Sequence, residues 1–270
     1  MASVGIICFR YVGKPMINYQ LENKTALVTG GASGIGLATA ELLAKSSAFV
    51  AVNDLENNPE LAGQIDRLTD LGYKVIAAPG DTGRAGAAQQ MVQQAIADLG
   101  GSLDFLVNNA GTPGTRSVVQ PDDFETQNEA FWDRLVNVNL KGPQRCIEAA
   151  VDALRKNRGA IVNTASVSGL RGNGSSSVYS ATKAGLITLT QEHARVLGPA
   201  VRVNAIAPGL VESNWECRFD VDDNTIQSIP LQRIGQPADY ADVIVYLLAG
   251  ATYITGETVV VDGGLLTGRR

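Results

Sequence analysis

The chain has one histidine, three cysteines and only 6% aromatic residues among 270. One histidine and no Cys-x-x-Cys pair leave too few ligands for a protein-built metal site. Cys8, Cys146 and Cys217 are odd in number and far apart, so they form no disulfide framework and suit a reducing, cytoplasmic compartment. No apolar run approaches the roughly 20 residues of a membrane helix, which sets aside a helical membrane protein. Positive charge is scarce as well. With 22 Lys+Arg against 27 Asp+Glu the net charge is −5, whereas a nucleic-acid-binding surface normally shows a basic excess. What remains is an ordinary globule, 45% hydrophobic and 18% charged, long enough for a sizeable core. Glycine alone is in excess: 29 residues are about 11%, against roughly 7% in average proteins. In an α/β chain such an excess means tight turns and backbone that a ligand approaches closely.

Residues 1–20 read as an N-terminal extension. Val4–Phe9 is apolar but too short for a signal sequence, and no charged leader frames it. Lacking acids and carrying Arg10 and Lys14, the segment leaves a transit peptide open, with a start-site artefact at least as good a reading. From Lys24 the pattern is regular. Strand-like apolar runs fall at Thr25–Thr29, Ala48–Asn53, Lys74–Ala78, Phe105–Asn108, Ala160–Thr164, Val201–Ile206 and Thr258–Val261. They are continuous rather than alternating, as strands covered on both faces are. Helix-length stretches separate them: Gly34–Lys45, Pro59–Leu71, Arg84–Leu99, Phe131–Leu140, Pro143–Lys156, Val178–Leu197 and Pro237–Ala249. No linker or composition break interrupts the alternation. The expectation is one α/β domain over 21–270, a doubly wound parallel sheet of about seven strands with helices on both faces.

Thr29-Gly30-Gly31-Ala32-Ser33-Gly34-Ile35-Gly36 lies where the first strand hands over to the first helix. Glycines there admit a pyrophosphate to the backbone, and the N–H groups and dipole of a helix start favour its charge. The spacing is Gly-x-x-x-Gly-x-Gly rather than GxGxxG, and a tight turn is the plain alternative. The second strand ends at Asp54, 18 residues beyond Gly36. A carboxylate at about that offset accepts the ribose hydroxyls of a Rossmann-bound dinucleotide and repels a 2′-phosphate. No Lys or Arg stands in the glycine turn. Both features select NAD over NADP; the plain reading of Asp54 is a turn or capping residue.

Further segments make the pattern specific. Asn108-Asn109-Ala110-Gly111 ends the fourth strand, and Ser166, Tyr179 and Lys183 follow at spacings of 13 and 4. Pro208-Gly209 ends the sixth strand, and Val261-Asp262-Gly263-Gly264 closes the chain. From about Lys24 to Leu265 the sequence resembles the short-chain dehydrogenase/reductase family. Tyr179 and Lys183, four apart, share one face of a helix. A neighbouring ammonium favours the phenolate, which an isolated tyrosine reaches only near pH ~10. The resemblance implies hydride transfer between a secondary alcohol or ketone and the nicotinamide, with Tyr179 moving the proton and Ser166 orienting the substrate oxygen. It implies that Lys183 supports Tyr179 and bonds the nicotinamide ribose, and that Asn139 holds a relay water, with Asn137 as the competing position. Around the cofactor it implies Gly30, Ser33, Gly34, Ile35, Gly36 and Asp54. It adds Asp81 at the adenine with Thr82 beside it, then Asn109, Ala110 and Gly111 along the groove. Pro208, Gly209, Val211 and Ser213 belong near the carboxamide. A homotetramer or homodimer is implied too, with Pro143–Lys156 and Val178–Leu197 at one interface.

Two departures stand out. Ser213 occupies a position where the family often has threonine. Between Gly111 and Asn139 the chain is a few residues longer than simple members, around Thr112–Gly114 and Gln120–Asn128, which reads equally as a substrate rim or a neutral insertion. Substrate choice is assigned to 209–233, including Trp215, and to Ser168–Ser177, where Gly and Ser leave mostly backbone. His193 is given no catalytic role, and Cys146 is expected to pack in a helix. The expected activity is NAD-dependent interconversion of a secondary alcohol and a ketone. Reduction of a 3-oxoacyl group on a carrier or thioester is the alternative, and a noncatalytic NAD-sensing subunit the contrasting class. Fold analogy leaves the substrate itself open.

Overall fold

A computed structural model describes residues 19–212 and 221–268. Seven strands, β1 (Thr25–Val28), β2 (Phe49–Val52), β3 (Val75–Ala77), β4 (Phe105–Asn108), β5 (Ala160–Thr164), β6 (Arg202–Pro208) and β7 (Thr258–Val261), form one sheet in the order β3-β2-β1-β4-β5-β6-β7. Every pairing is parallel. Single residues alternate between two apolar layers. In β1, Ala26 and Val28 enter one layer with α1 (Gly34–Lys45), α2 (Pro59–Asp70) and α9 (Pro237–Val245), while Leu27 enters the other. That second layer holds α3 (Ala87–Asp98), α5 (Gly142–Asn157) and the far end of α7 (Ser177–Leu197). Both faces of the sheet are therefore buried, which is why its strands read as continuous apolar runs.

The strands β4, β5 and β7 and the helix α1 keep their expected bounds. β6 runs on to Pro208, beyond the expected Ile206, because β7 pairs with Ala205–Pro208 and extends the ladder. The expected break before Pro143 does not occur. α4 (Glu129–Val136) passes through a π-helical turn (Asn137–Lys141) straight into α5. Pro143 sits in the first turn of α5, and the wider π turn accommodates its missing N–H. Two short helices, α6 (Ser168–Arg171) and α8 (Asp223–Ser228), are too brief to show periodicity in sequence. Among the described residues no helix is long and apolar enough to cross a membrane.

The strand order reverses direction between β1 and β4. Loops leaving their carboxyl ends part there and open a crevice, the place where doubly wound sheets bind ligands.

Candidate active site

The glycine turn after β1 and the Asn109-Ala110-Gly111 turn after β4 meet across that crevice. Thr29, which the sequence reading left without a role, joins them. Its Oγ1 donates to the Val107 carbonyl (3.2 Å) and accepts the N–H groups of Asn109 and Ala110, each at 3.0 Å. The Asn109 amide in turn donates to the carbonyls of Thr29 (3.2 Å) and Gly30 (3.0 Å). Contact is too close for side chains. Gly30 has φ +60°, and a Cβ there would lie 2.8 Å from Ala110 Cα; on Gly36 it would lie 2.1 Å from the Gly30 carbonyl oxygen. At the helix start, Ser33 makes no side-chain cap and no acid stands in the first turn of α1. A helix start without a side-chain cap, flanked by Gly34 and Gly36, fits a pyrophosphate.

Gly36→Ala therefore drives a methyl into backbone. The expected result is a loss of about 2 kcal/mol in urea unfolding. NADH affinity, read by fluorescence titration, should weaken about tenfold or more (about 1.4 kcal/mol). A variant with unchanged affinity and stability would show that the turn is not held as described.

Asp54 lies two residues beyond the end of β2, half-buried, its Oδ2 accepting the Ala32 N–H (3.2 Å) and its Oδ1 the Leu55 N–H (2.8 Å). These are the turn-capping bonds of the plain reading, and they also fix the carboxylate against the glycine turn. Asp81 is exposed, accepts the Gly83 N–H at 2.8 Å, and lines an open cleft of about 1120 Å³ with Leu55, Gly80 and Arg84. Thr82 is buried beside it. The cleft does not reach Ser166, Tyr179 or Lys183.

Those three residues are tied together near the carboxyl end of β5 through Thr164, Ser168 and Gly174. Ser166 follows β5, and its Oγ accepts bonds from the N–H (3.2 Å) and the hydroxyl (2.9 Å) of Ser168. α6 carries Ser168 and packs closely on α7: a Cβ on Gly169 would lie 2.7 Å from the Lys183 carbonyl carbon. Gly174 stands between Ser168 and Tyr179. A Cβ there would lie 2.9 Å from Tyr179 Cδ1 and 3.0 Å from Ser168 Cβ. Lys183 is 3% exposed, and its Nζ donates to the Thr164 carbonyl at 2.7 Å and lies 5.7 Å from the Tyr179 ring centroid. Burial pushes its pKa down from 10.5 to about 8. The Thr164 carbonyl had no signal in sequence, because any residue supplies one.

Asn139 and Asn137 separate clearly. Asn139 is fully buried in the π turn, where its Oδ1 accepts the Thr112 N–H (2.8 Å) and its Nδ2 donates to the Thr112 carbonyl (2.9 Å) and to Thr182 Oγ1 (3.3 Å). Asn137 turns the other way, donating to the Asp133 carbonyl (2.7 Å) and accepting from Arg145 (3.0 Å). Gly209 packs on Asp262 and donates to the Val261 carbonyl at 3.0 Å. Val211 forms a parallel bridge with Gly235. Ser213 and Trp215 lie outside the described residues. Cys146 is buried in α5 and its thiol is pushed up to about 12 by burial. His193 is half-buried; desolvation lowers its pKa, opposed by Glu148.

Known proteins share this sequence pattern and fold. Residues 30–266 match the family model described as enoyl-(acyl carrier protein) reductase. The chain is similar to the 3-oxoacyl-(acyl-carrier-protein) reductase of Staphylococcus epidermidis, 35% identical over 248 residues that cover 90% of this chain and 99% of that protein. It is equally similar to the BbsD subunit of hydroxy(phenyl)methylsuccinyl-CoA dehydrogenase from Thauera aromatica, 35% identical over 90% of this chain and 97% of the relative. The crystal structure of a 3-oxoacyl-(acyl-carrier-protein) reductase from Brucella melitensis with bound NAD superposes with TM-score 0.80 at 34% identity, covering 91% of this chain and 94% of that one. A matched family model, relatives aligned end to end and a shared seven-stranded sheet together establish that the chain belongs to the short-chain dehydrogenase/reductase family.

Proposed function

We propose that the chain is an NAD(H)-linked oxidoreductase that interconverts a hydroxyl and a ketone on the acyl part of a thioester. The observation that carries this is the buried Lys183 ammonium held against the Tyr179 ring, with the Ser166–Ser168 hydroxyl pair across Gly174. Tyr179 gives its proton to the carbonyl oxygen in reduction and takes it back in oxidation. Ser166 orients that oxygen, with Ser168 donating to Ser166 so that the Ser166 hydrogen is free for the substrate. Lys183 supplies positive charge that favours the phenolate. Asn139 places the π turn against Thr112, and Pro143, four residues on, brings no N–H to the Asn139 carbonyl, which suits that carbonyl to hold a relay water. The glycine turn, Asp54, Asp81 and Asn109 hold the dinucleotide, whose nicotinamide supplies or accepts the hydride when bound.

The thioester class is favoured over a free secondary alcohol because the Staphylococcus and Thauera relatives are named for acyl groups carried on a protein or on CoA. Asp54 and the absence of cations from the glycine turn favour NAD, in keeping with the Brucella relative. A cytoplasmic homotetramer with α5 and α7 at one interface belongs to the same proposal.

The test follows NADH oxidation with acetoacetyl-CoA beside NADPH, then NAD⁺ reduction with 3-hydroxybutyryl-CoA and a panel of unlinked secondary alcohols. NADH should exceed NADPH at least about tenfold in kcat/KM, a difference of ~1.4 kcal/mol. Asp54→Ser should close most of that gap by removing the charge that repels a 2′-phosphate. A wild-type preference for NADPH overturns the role of Asp54. Turnover confined to unlinked alcohols overturns the thioester class.

A further inference from the structure

The segment from Thr112 to Asn128 is fastened to the residues that open α7 at three points. Ser175 Oγ donates to the Pro113 carbonyl (3.3 Å), and the Val119 N–H donates to the Ser175 carbonyl (2.8 Å). The third point is Gln127, only 8% exposed. Its Nε2 shares its hydrogens among the carbonyls of Gln120 (3.1 Å), Pro121 (3.4 Å) and Asp123 (3.4 Å) and so folds the segment on itself. Its Oε1 accepts the N–H of Ser177 at 3.1 Å. Ser177 is the first residue of α7, whose N–H has no partner within the helix. Ser176 Oγ accepts the Tyr179 N–H at 3.0 Å. Gln127 therefore shares the capping of the turn that carries Tyr179, from a segment remote in sequence. The segment is anchored at its other end as well, where Asn139 holds both backbone polar groups of Thr112.

We infer that Gln127 is a positioning residue: through the Ser177 N–H it sets the first turn of α7, and with it the place of the Tyr179 hydroxyl. The inference rests on the role proposed for Tyr179. Its consequence is that the Thr112–Asn128 segment takes part in turnover rather than only edging the pocket.

The test uses two substitutions on the full chain. Gln127→Met keeps the length and apolar stem but loses both kinds of hydrogen bond. Ser177→Pro deletes the N–H at a helix position where proline is tolerated, and the preceding Ser176 is already extended (φ −160°, ψ 166°), as a residue before proline must be. Rates are taken per NADH-binding site, counted by fluorescence, so that a poorly folded fraction does not enter. Gln127→Met is expected to lower kcat about tenfold while the KM for NADH stays within about twofold, since the cofactor contacts lie on other elements. Ser177→Pro should lower kcat similarly, and the double variant should be no more than about twofold worse than the worse single one, because both remove the same bond. An unchanged kcat in Gln127→Met, or a double variant about a hundredfold down, overturns the inference. If the wild-type chain binds NADH but turns over no substrate in the preceding assays, the failure belongs to the role of Tyr179 instead.

Discussion

Tyr179→Phe is expected to lower turnover by about a thousandfold while leaving folding and NADH binding close to wild type. The ring contributes shape: it stacks beside the missing side chain of Gly174 and stands 5.7 Å from the Lys183 ammonium. In the proposed reaction only the hydroxyl moves a proton, and loss of a positioned acid–base group costs about 10²–10⁴ in rate. In the same proposal the Ser166 hydroxyl still orients substrate, so the KM should change little. A stopped-flow trace of NADH oxidation, with NADH titrated in parallel, separates the two quantities. Turnover within tenfold of wild type would remove Tyr179 from the proton-transfer role, and loss of NADH binding would make it a cofactor ligand first.

Lys183→Met is expected to do something less usual: activity falls about a hundredfold or more while the apo protein becomes more stable. Lys183 is buried, and its pKa in the fold, about 8, lies below its ordinary 10.5. Between those two pH values the unfolded chain binds the proton that the folded chain has released. Stability of the wild type therefore rises with pH from about 8 to about 10.5, and below about 8 the full penalty is present. At neutral pH that penalty is about 3 kcal/mol by linkage. Methionine removes it and loses the hydrogen bond to the Thr164 carbonyl, which is worth about 1 kcal/mol. The net gain is about 2 kcal/mol. Urea unfolding at pH 7 and at pH 10 checks both parts: the variant should be the more stable at pH 7 and the difference should shrink at pH 10. A variant less stable than wild type at pH 7 would show that the buried cation carries no such cost. A strained charge kept at the crevice is what a trade of stability for activity looks like.

Residues near one another in sequence were the legible part of the site. Tyr179 and Lys183 are one helical turn apart, so their shared face follows from the 3.6-residue period. The glycine turn and Asp54 were legible because a single strand–helix–strand unit places them at neighbouring strand ends. Asn139 and Asn137 stayed ambiguous, since two residues apart on an ordinary helix place neither reliably. The π turn sends them to different partners, Asn139 to Thr112 and Thr182 and Asn137 to Arg145.

The sequence by itself determined the seven strands, the longer helices and the two-sided burial of the sheet. Apolar runs with glycine and polar breaks dictate strands and helices through local sterics and hydrophobic period, and those forces act over a few residues. It also determined the chemical inventory: a hydroxyl, a phenol, an ammonium and an acid at set spacings. Tertiary structure alone decided how that inventory is held. Thr29 bridging two turns, the Thr164 carbonyl receiving Lys183, and Gln127 reaching Ser177 join residues 19 to 81 positions apart. Hydrogen bonds of that kind depend on which backbone groups the strand ends, turns and helix starts leave unpaired, and those groups meet only once the chain has folded.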